Sequence, residues 1–377
     1  MKINLQIRQL QLFIKALTIT IILCCGLCVP LSGQKLTENA NVISVAAHTG
    51  YIMSHRDNMA HLIKGHIYGG EINYIFKTDG GKPWQQIHKY PEIGVCFLHL
   101  YLSNPSELGN LEALYPYTNI RLNKLSKKAC LNLRVGVGLA YLTRPFDRLE
   151  NHKNNAIGTH LNGFVNLRLS STIMLSNSVR MEMGLGLTHA SNGAVQTPNL
   201  GLNMATVNLG FGYVFGNKHM TFKKDSIPPC TKNWQAMIIA VAGVKELENP
   251  GGDKYLAYGL QGNVYRTLNY KNKLGGGLEM AYNTATKKEW ANDSVYNTKP
   301  GDIIQAGGKI CYAFHMHRVS VPVDFGMYFY KKQALNGNFF HRVGVRYMVT
   351  KHLIANVTLL THWAKADYFE FGIGYQF

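Results

Sequence analysis

Leu131-Asn132-Leu133-Arg134-Val135-Gly136-Val137-Gly138-Leu139-Ala140-Tyr141 alternates by parity. Its odd positions are apolar and end in an aromatic, whereas its even positions are Asn, Arg, Gly, Gly and Ala. Successive side chains of an extended strand point to opposite faces, so one face here is apolar and the other is polar or nearly bare. Ala205 to Phe215 repeats the pattern, with Val207, Leu209, Phe211, Tyr213 and Phe215 in one row and Thr206, Asn208, Gly210 and Gly212 in the other. Val319 to Phe329 and Val343 to Val349 do likewise, with Arg342 and Arg346 opposite Val343, Val345 and Tyr347. The core face of a soluble sandwich does not so regularly end in aromatics while its other face fills with Gly, Asn and Arg. An apolar outside with aromatic girdles around a polar, glycine-rich inside predicts an all-β fold, an antiparallel transmembrane β-barrel of the outer-membrane type. Phe377 closes a last alternating strand with Phe369, Phe371, Ile373 and Tyr375 on one face, a common ending for such barrels.

The rest of the composition agrees. The 377 residues are 46% hydrophobic and only 16% charged, with 37 glycines, which excludes a disordered or collagenous chain. After the first forty residues no apolar run is long enough for a spanning helix, which excludes a polytopic helical membrane protein. At the amino terminus Lys2, Arg8 and Lys15 precede an apolar stretch from Ala16 to Leu31 that ends in Ser32 and Gly33. This reads as a secretory signal peptide over residues 1–33, cleaved near Gly33. Cys24, Cys25 and Cys28 leave with it. The remaining Cys96, Cys130, Cys230 and Cys311 permit one or two disulfides in an exported chain, but their spacing fits neither a zinc site nor a redox pair. Removal of residues 1–33, with three basic and no acidic residues, takes the formal charge from +18 to +15. Such a surplus attracts anions. Export and the lack of a nucleic-acid motif turn that attraction toward phosphorylated lipid surfaces rather than nucleic acid.

From Val42 onward, segments of about ten to fourteen residues are separated by Asn, Gly, Lys, Pro and Ser clusters, the strand-and-turn rhythm of a barrel. About sixteen strands are expected, eight before residue 216 and eight after 233. Residues 217–233, with Lys218, Lys223, Lys224, Pro228 and Pro229, read as a linker between a motif-bearing half (34–216) and a C-terminal half (234–377). Each half ends comparably: Leu185 to His189 then Leu209 to Tyr213, and Leu359 to His362 then Phe371 to Tyr375, a hint of duplication. One large closed barrel is favoured over two of eight strands, because closure leaves no strand edge in lipid.

One stretch has the makings of a reactive site, Thr188-His189-Ala190-Ser191-Asn192-Gly193-Ala194-Val195-Gln196-Thr197-Pro198-Asn199-Leu200-Gly201-Leu202-Asn203. Met183, Leu185 and Leu187 share a strand face with His189 and Ser191, so an apolar row ends in a base and a hydroxyl. Beyond the loop, Asn203 shares the face of Ala205, Val207 and Leu209. His189, Ser191 and Asn203 therefore converge outside the barrel, at the membrane edge, where an enzyme acting on a lipid ester would need its nucleophile. A serine hydroxyl is a poor nucleophile until an imidazole removes its proton. His189 is the expected base and Ser191 the nucleophile, with backbone N–H groups around Asn192 and Gly193 for the oxyanion. The bland alternative is a pair of interfacial polar residues beside an ordinary turn.

His-x-Ser-Asn, then Pro198-Asn199, Gly201 and the alternating strand to Tyr213, resembles the lipid A 3-O-deacylase (PagL-type acyloxyacyl hydrolase) family over residues 185 to 215, and more loosely over residues 42 to 215. The resemblance implies an outer-membrane barrel that removes the ester-linked acyl chain at the 3 position of lipid A in lipopolysaccharide, by means of a serine, a histidine and a glutamate, without metal or organic cofactor. It assigns the nucleophile to Ser191, the base to His189 and the oxyanion loop to Asn192 and Gly193. The family's glutamate position falls on Asn203, and Glu182, the only acid of the preceding strand, has the wrong parity. An asparagine can orient a histidine but cannot offset an imidazolium as a carboxylate does.

Other clusters carry less. His48, His55, His61 and His66 are spaced by seven, six and five, which puts no metal-ligand set on one face, and they read as loop and strand-end residues. Gly136 and Gly138 lie inside a strand, not before a helix, so a phosphate-binding loop is rejected. Lys127, Lys128, Lys153, Lys223 and Lys224 fall in expected loops, where they either meet lipopolysaccharide phosphates or are simply solvated. At His362 the residue two further on is Ala364, so the C-terminal half lacks a matching nucleophile. The competing functional class is a non-catalytic barrel, whether pore, lipid-binding or structural protein, in which the His-Ser pair is a relic. A third class, a soluble exported β-sandwich that binds carbohydrate, would leave membranes without detergent.

Overall fold

The computed structural model describes residues 40–123, 129–216, 221–247, 250–292, 299–332, 337–363 and 365–377. The expected signal peptide, residues 1–33, lies outside them, as do Lys127, Lys128 and Ala364. Sixteen strands occupy the described residues. The first eight are β1 (Ala40–Ile52), β2 (Ile67–Lys77), β3 (Glu92–Tyr101), β4 (Asn110–Arg121), β5 (Ala129–Leu142), β6 (Leu161–Met174), β7 (Val179–Ser191) and β8 (Leu202–Gly216). The second eight are β9 (Trp234–Glu246), β10 (Lys254–Thr267), β11 (Asn272–Asn283), β12 (Ile304–Met316), β13 (Val319–Lys331), β14 (Phe339–Met348), β15 (Leu353–His362) and β16 (Lys365–Gln376).

All neighbours pair antiparallel, and the expectation of one large barrel is corrected: β1 to β8 close one barrel and β9 to β16 close another. Closure is made by β1 on β8, with Ala40 opposite Gly216 and Ile52 opposite Met204, and by β9 on β16, with Met237 opposite Gln376. The argument that lipid tolerates no free edge holds, but eight strands already satisfy it. The chain divides into two compact units: the first barrel up to Ser191 and from Leu200 to Ser226, and residues 192–199 with Ile227–Phe377.

Each barrel is inside-out relative to a soluble protein. Leu185 and Leu278 are 62% and 65% exposed on the outer rows, whereas Arg134 and Arg168 inside are 0% and 1% exposed. Bare apolar rows of this extent around a charged interior suit hydrocarbon, not water. Inside the first barrel, Glu71 accepts two 2.6 Å hydrogen bonds from the guanidinium of Arg168. Arg134 bridges Glu71 (3.4 Å) and Glu182 (3.2 Å), and Arg180 pairs with Glu92 at 2.7 Å. The glycines of the inner rows make room for this filling. A Cβ at Gly136 or Gly138 would strike Tyr115, which is fully buried beside Arg134 and Tyr117. Paired charges fill the second barrel as well, where Arg342 joins Glu279 (2.7 Å) to Glu370 (2.6 Å), and Lys309 meets Asp324 at 2.9 Å. An eight-strand barrel is just wide enough for its side chains to fill it, and both interiors are taken up in this way.

The four cysteines Cys96, Cys130, Cys230 and Cys311 are free thiols. The hint of duplication does not extend to facing. His362 ends the inward row of β15 after Leu360 and lies 3.7 Å from Asp367, whereas His189 continues an outward row.

Candidate active site

Antiparallel order sends the β1–β2, β3–β4, β5–β6 and β7–β8 connections to the same end of the first barrel. At that end the ladder puts His189 of β7 directly opposite Asn203 of β8, and Ser191 opposite Gly163 of β6. Directly opposed residues have Cβ atoms about 5 Å apart, within reach of a side-chain hydrogen bond. Accordingly His189 Nδ1 lies 2.7 Å from Asn203 Oδ1, and His189 Nε2 lies 3.0 Å from Ser191 Oγ. The three side chains expected to converge do so, in the line hydroxyl, imidazole, amide. Ser191 is 6% exposed, at the end of the lipid-facing row of Met183, Leu185 and Leu187.

Glycine is required at one position here. Gly201 has φ +82, and a Cβ on it would meet His189 Cε1 at 2.9 Å. A bare residue in the left-handed region thus lets the chain turn into β8 while its backbone lies against the imidazole. The Gly201 N–H donates to Ala156 O at 2.9 Å, which ties the turn to the β5–β6 connection.

The segment 192–199 has its own bonding. Asn192 caps a tight turn: its Nδ2 donates to Gln196 O at 2.8 Å and its backbone N–H donates to Asn199 Oδ1 at 3.0 Å. Gly193 follows with φ +59, and Pro198 follows a cis peptide bond. Within its unit this segment is held by Glu246, whose N–H donates to Ala194 O (2.8 Å) and whose carboxylate accepts from the Thr197 N–H (3.1 Å). Asn192 and Gly193 directly follow Ser191 in the chain, and the Asn192 N–H is engaged by Asn199.

Glu182 faces the barrel interior and pairs with Arg134, as its parity required. The amino-terminal histidines separate. His48 is buried in the first barrel 3.1 Å from Glu71, and His61 meets Lys153 O at 2.8 Å. No cluster of three metal-ligand side chains occurs among the described residues. His55, read from the sequence only as a loop or strand-end residue, reaches this line: its Nδ1 lies 3.0 Å from Asn203 Nδ2 and its Nε2 lies 3.0 Å from Leu200 O. The signal was a histidine just past the end of β1, but only the pairing of β1 with β8 brings residue 55 to residue 203. Lys223 lies 3.7 Å from Asp79, and Lys224 is exposed.

Two closed barrels with apolar outsides define an outer-membrane β-barrel, and a serine–histidine–asparagine line lies at one strand end of the first. Residues 68–212 match the family model of lipid A 3-O-deacylase (PagL), and residues 233–377 match that of the acyloxyacyl hydrolase C-terminal domain; together these segments span well over half of the chain. The chain belongs to the lipid A 3-O-deacylase (PagL) family of acyloxyacyl hydrolases. Among solved structures it is similar to the outer membrane enzyme PagL, at 14% identity over 44% of this chain and 97% of that one, with a TM-score of 0.29. Neisserial surface protein A matches at 11% identity over 47% of this chain and 96% of that one (TM-score 0.30). A mutant porin of Rh. blastica matches at 10% identity over 90% of this chain and 99% of that one (TM-score 0.20). No curated protein matches the sequence.

Proposed function

We propose that this protein removes an ester-linked acyl chain from lipid A, with Ser191 as nucleophile and His189 as general base. The carrying observation is the unbroken line from Ser191 Oγ to His189 Nε2 (3.0 Å) and from His189 Nδ1 to Asn203 Oδ1 (2.7 Å). Ser191 Oγ attacks the ester carbonyl while His189 Nε2 takes its proton; as the bond from the acyl carbon to the sugar oxygen breaks, the imidazolium gives that proton to the departing oxygen, leaving a sugar hydroxyl and an acyl-serine. Water, deprotonated by the same imidazole, releases the fatty acid and restores Ser191. The oxyanion is stabilised by N–H groups at Asn192 and Gly193, the former once Asn199 Oδ1 lets it go. Asn203 holds the tautomer but leaves the imidazolium without a counter-charge. The site's position on the outer face suits a substrate whose acyl chains lie in the same lipid, and the filled interiors of both barrels disfavour the pore reading.

The test is mass spectrometry of lipid A from cells that express the protein or its Ser191→Ala variant, in a host whose lipid A carries a 3-O-acyl chain. Loss of one hydroxyacyl group with the parent alone is expected. Identical, fully acylated spectra from two correctly inserted proteins would sink the proposal.

A further inference from the structure

We infer that His55 is a positioning residue which, through the fixed polarity of one backbone carbonyl, sets the amide of Asn203 and hence the tautomer of His189. This rests on the reading of Ser191 and His189 as nucleophile and base. An asparagine in this place poses a problem that a carboxylate does not. Its amide carries an acceptor at one end and donors at the other, so it can face His189 with either. With Oδ1 toward His189, Nδ1 is the protonated nitrogen and Nε2 keeps its lone pair for the Ser191 proton. With Nδ2 toward it, the tautomer reverses and the base is lost.

The chain of contacts beyond Asn203 removes the choice. Leu200 O can only accept, so the His55 Nε2 at 3.0 Å is the protonated nitrogen of that ring. A neutral imidazole then has only a lone pair on Nδ1, and it accepts from Asn203 Nδ2 at 3.0 Å. Asn203 Oδ1 is thereby turned to His189 Nδ1 at 2.7 Å, and His189 Nε2 is left to accept from Ser191 Oγ at 3.0 Å. With a neutral His55 ring, every link from Leu200 O to Ser191 Oγ has one allowed direction.

Backbone pairing and a packed loop hold His55 in place. The β1 to β8 ladder is extended by the Met53 N–H, which donates to Asn203 O at 2.8 Å, and residue 55 follows two positions on. The loop beyond is anchored by buried Met59 and Leu62, by Asn104 Nδ2 on Leu62 O (2.8 Å) and by Lys64 on Glu107 (2.7 Å). His55 itself is exposed, so its substitution should leave the barrel folded.

The experiment uses the full chain in detergent with purified lipopolysaccharide, and compares His55→Asn, His55→Ala and His55→Lys with the parent. Asn returns an acceptor to the Nδ1 position, Ala removes it and Lys offers only donors. Alongside turnover, the His189 tautomer is read by 15N NMR on histidine-labelled protein, assigned by the signal lost in His189→Gln. His55→Lys should move His189 to the other tautomer and lower kcat about a hundredfold, with KM changed less than about twofold. His55→Ala should fall between, and His55→Asn should recover most of the turnover with the parent tautomer. An unchanged tautomer and turnover in His55→Lys, with Ser191→Ala inert, would overturn the relay alone. Full activity of Ser191→Ala would overturn the underlying site reading instead.

Discussion

Asn203 is where this chain departs from the residue its family resemblance implied, and the departure has a chemical cost. Its Oδ1 lies 2.7 Å from His189 Nδ1, which orients the ring, but in the proposed mechanism no negative charge opposes the imidazolium formed when Ser191 gives up its proton. Asn203→Glu should therefore raise kcat, by about tenfold or more, and move the acid limb of the pH–rate profile to higher pH, because a neighbouring carboxylate favours the protonated imidazole. Steady-state deacylation across pH checks this, and a variant slower than the parent at every pH would contradict it. His189, Ser191 and Asn203 were legible in the sequence because strand parity and the i, i+2 spacing put them on one face. His55 was not, because its contact with Asn203 joins residues 148 apart through barrel closure.

Among the elements, the β7–β8 connection sets the site's geometry. Gly201, at φ +82 and against His189 Cε1, is the hinge of that connection. A methyl there both strains the backbone and pushes the imidazole from Ser191. Gly201→Ala should cost about 1 kcal/mol or more of stability and at least about a hundredfold in kcat, while the protein still inserts. Heat-modifiable migration on gels reports the folded barrel, and lipid A mass spectrometry reports the chemistry; parental turnover in a folded variant would refute the close-approach argument. The sequence placed Gly201 in the motif but not against the ring, since no periodicity runs through a loop. Likewise the Thr-His endings of β7 and β15 look alike, yet one histidine faces outward and the other into its barrel, set by the register each strand adopts.

At the scale of the whole molecule, each barrel carries its charges inside. Glu71 takes both guanidinium nitrogens of Arg168 and also meets Arg134 and His48. Glu71→Ala would leave buried cations uncompensated and should destabilise the first barrel by about 3–5 kcal/mol, seen as a lower urea midpoint for its unfolding. A midpoint equal to the parent's would show that the interior is hydrated rather than sealed by pairing.

Alternation alone determined that the chain is all-β, that its apolar rows face outward and that one such row ends in His189 and Ser191, because side-chain facing in a strand is a local property with a period of two. Tertiary structure decided the rest. Which strand closes on β1 is a non-local matter: pairing with β8 made two barrels where one was expected, drew inner charges from distant strands into networks, and carried His55 to Asn203.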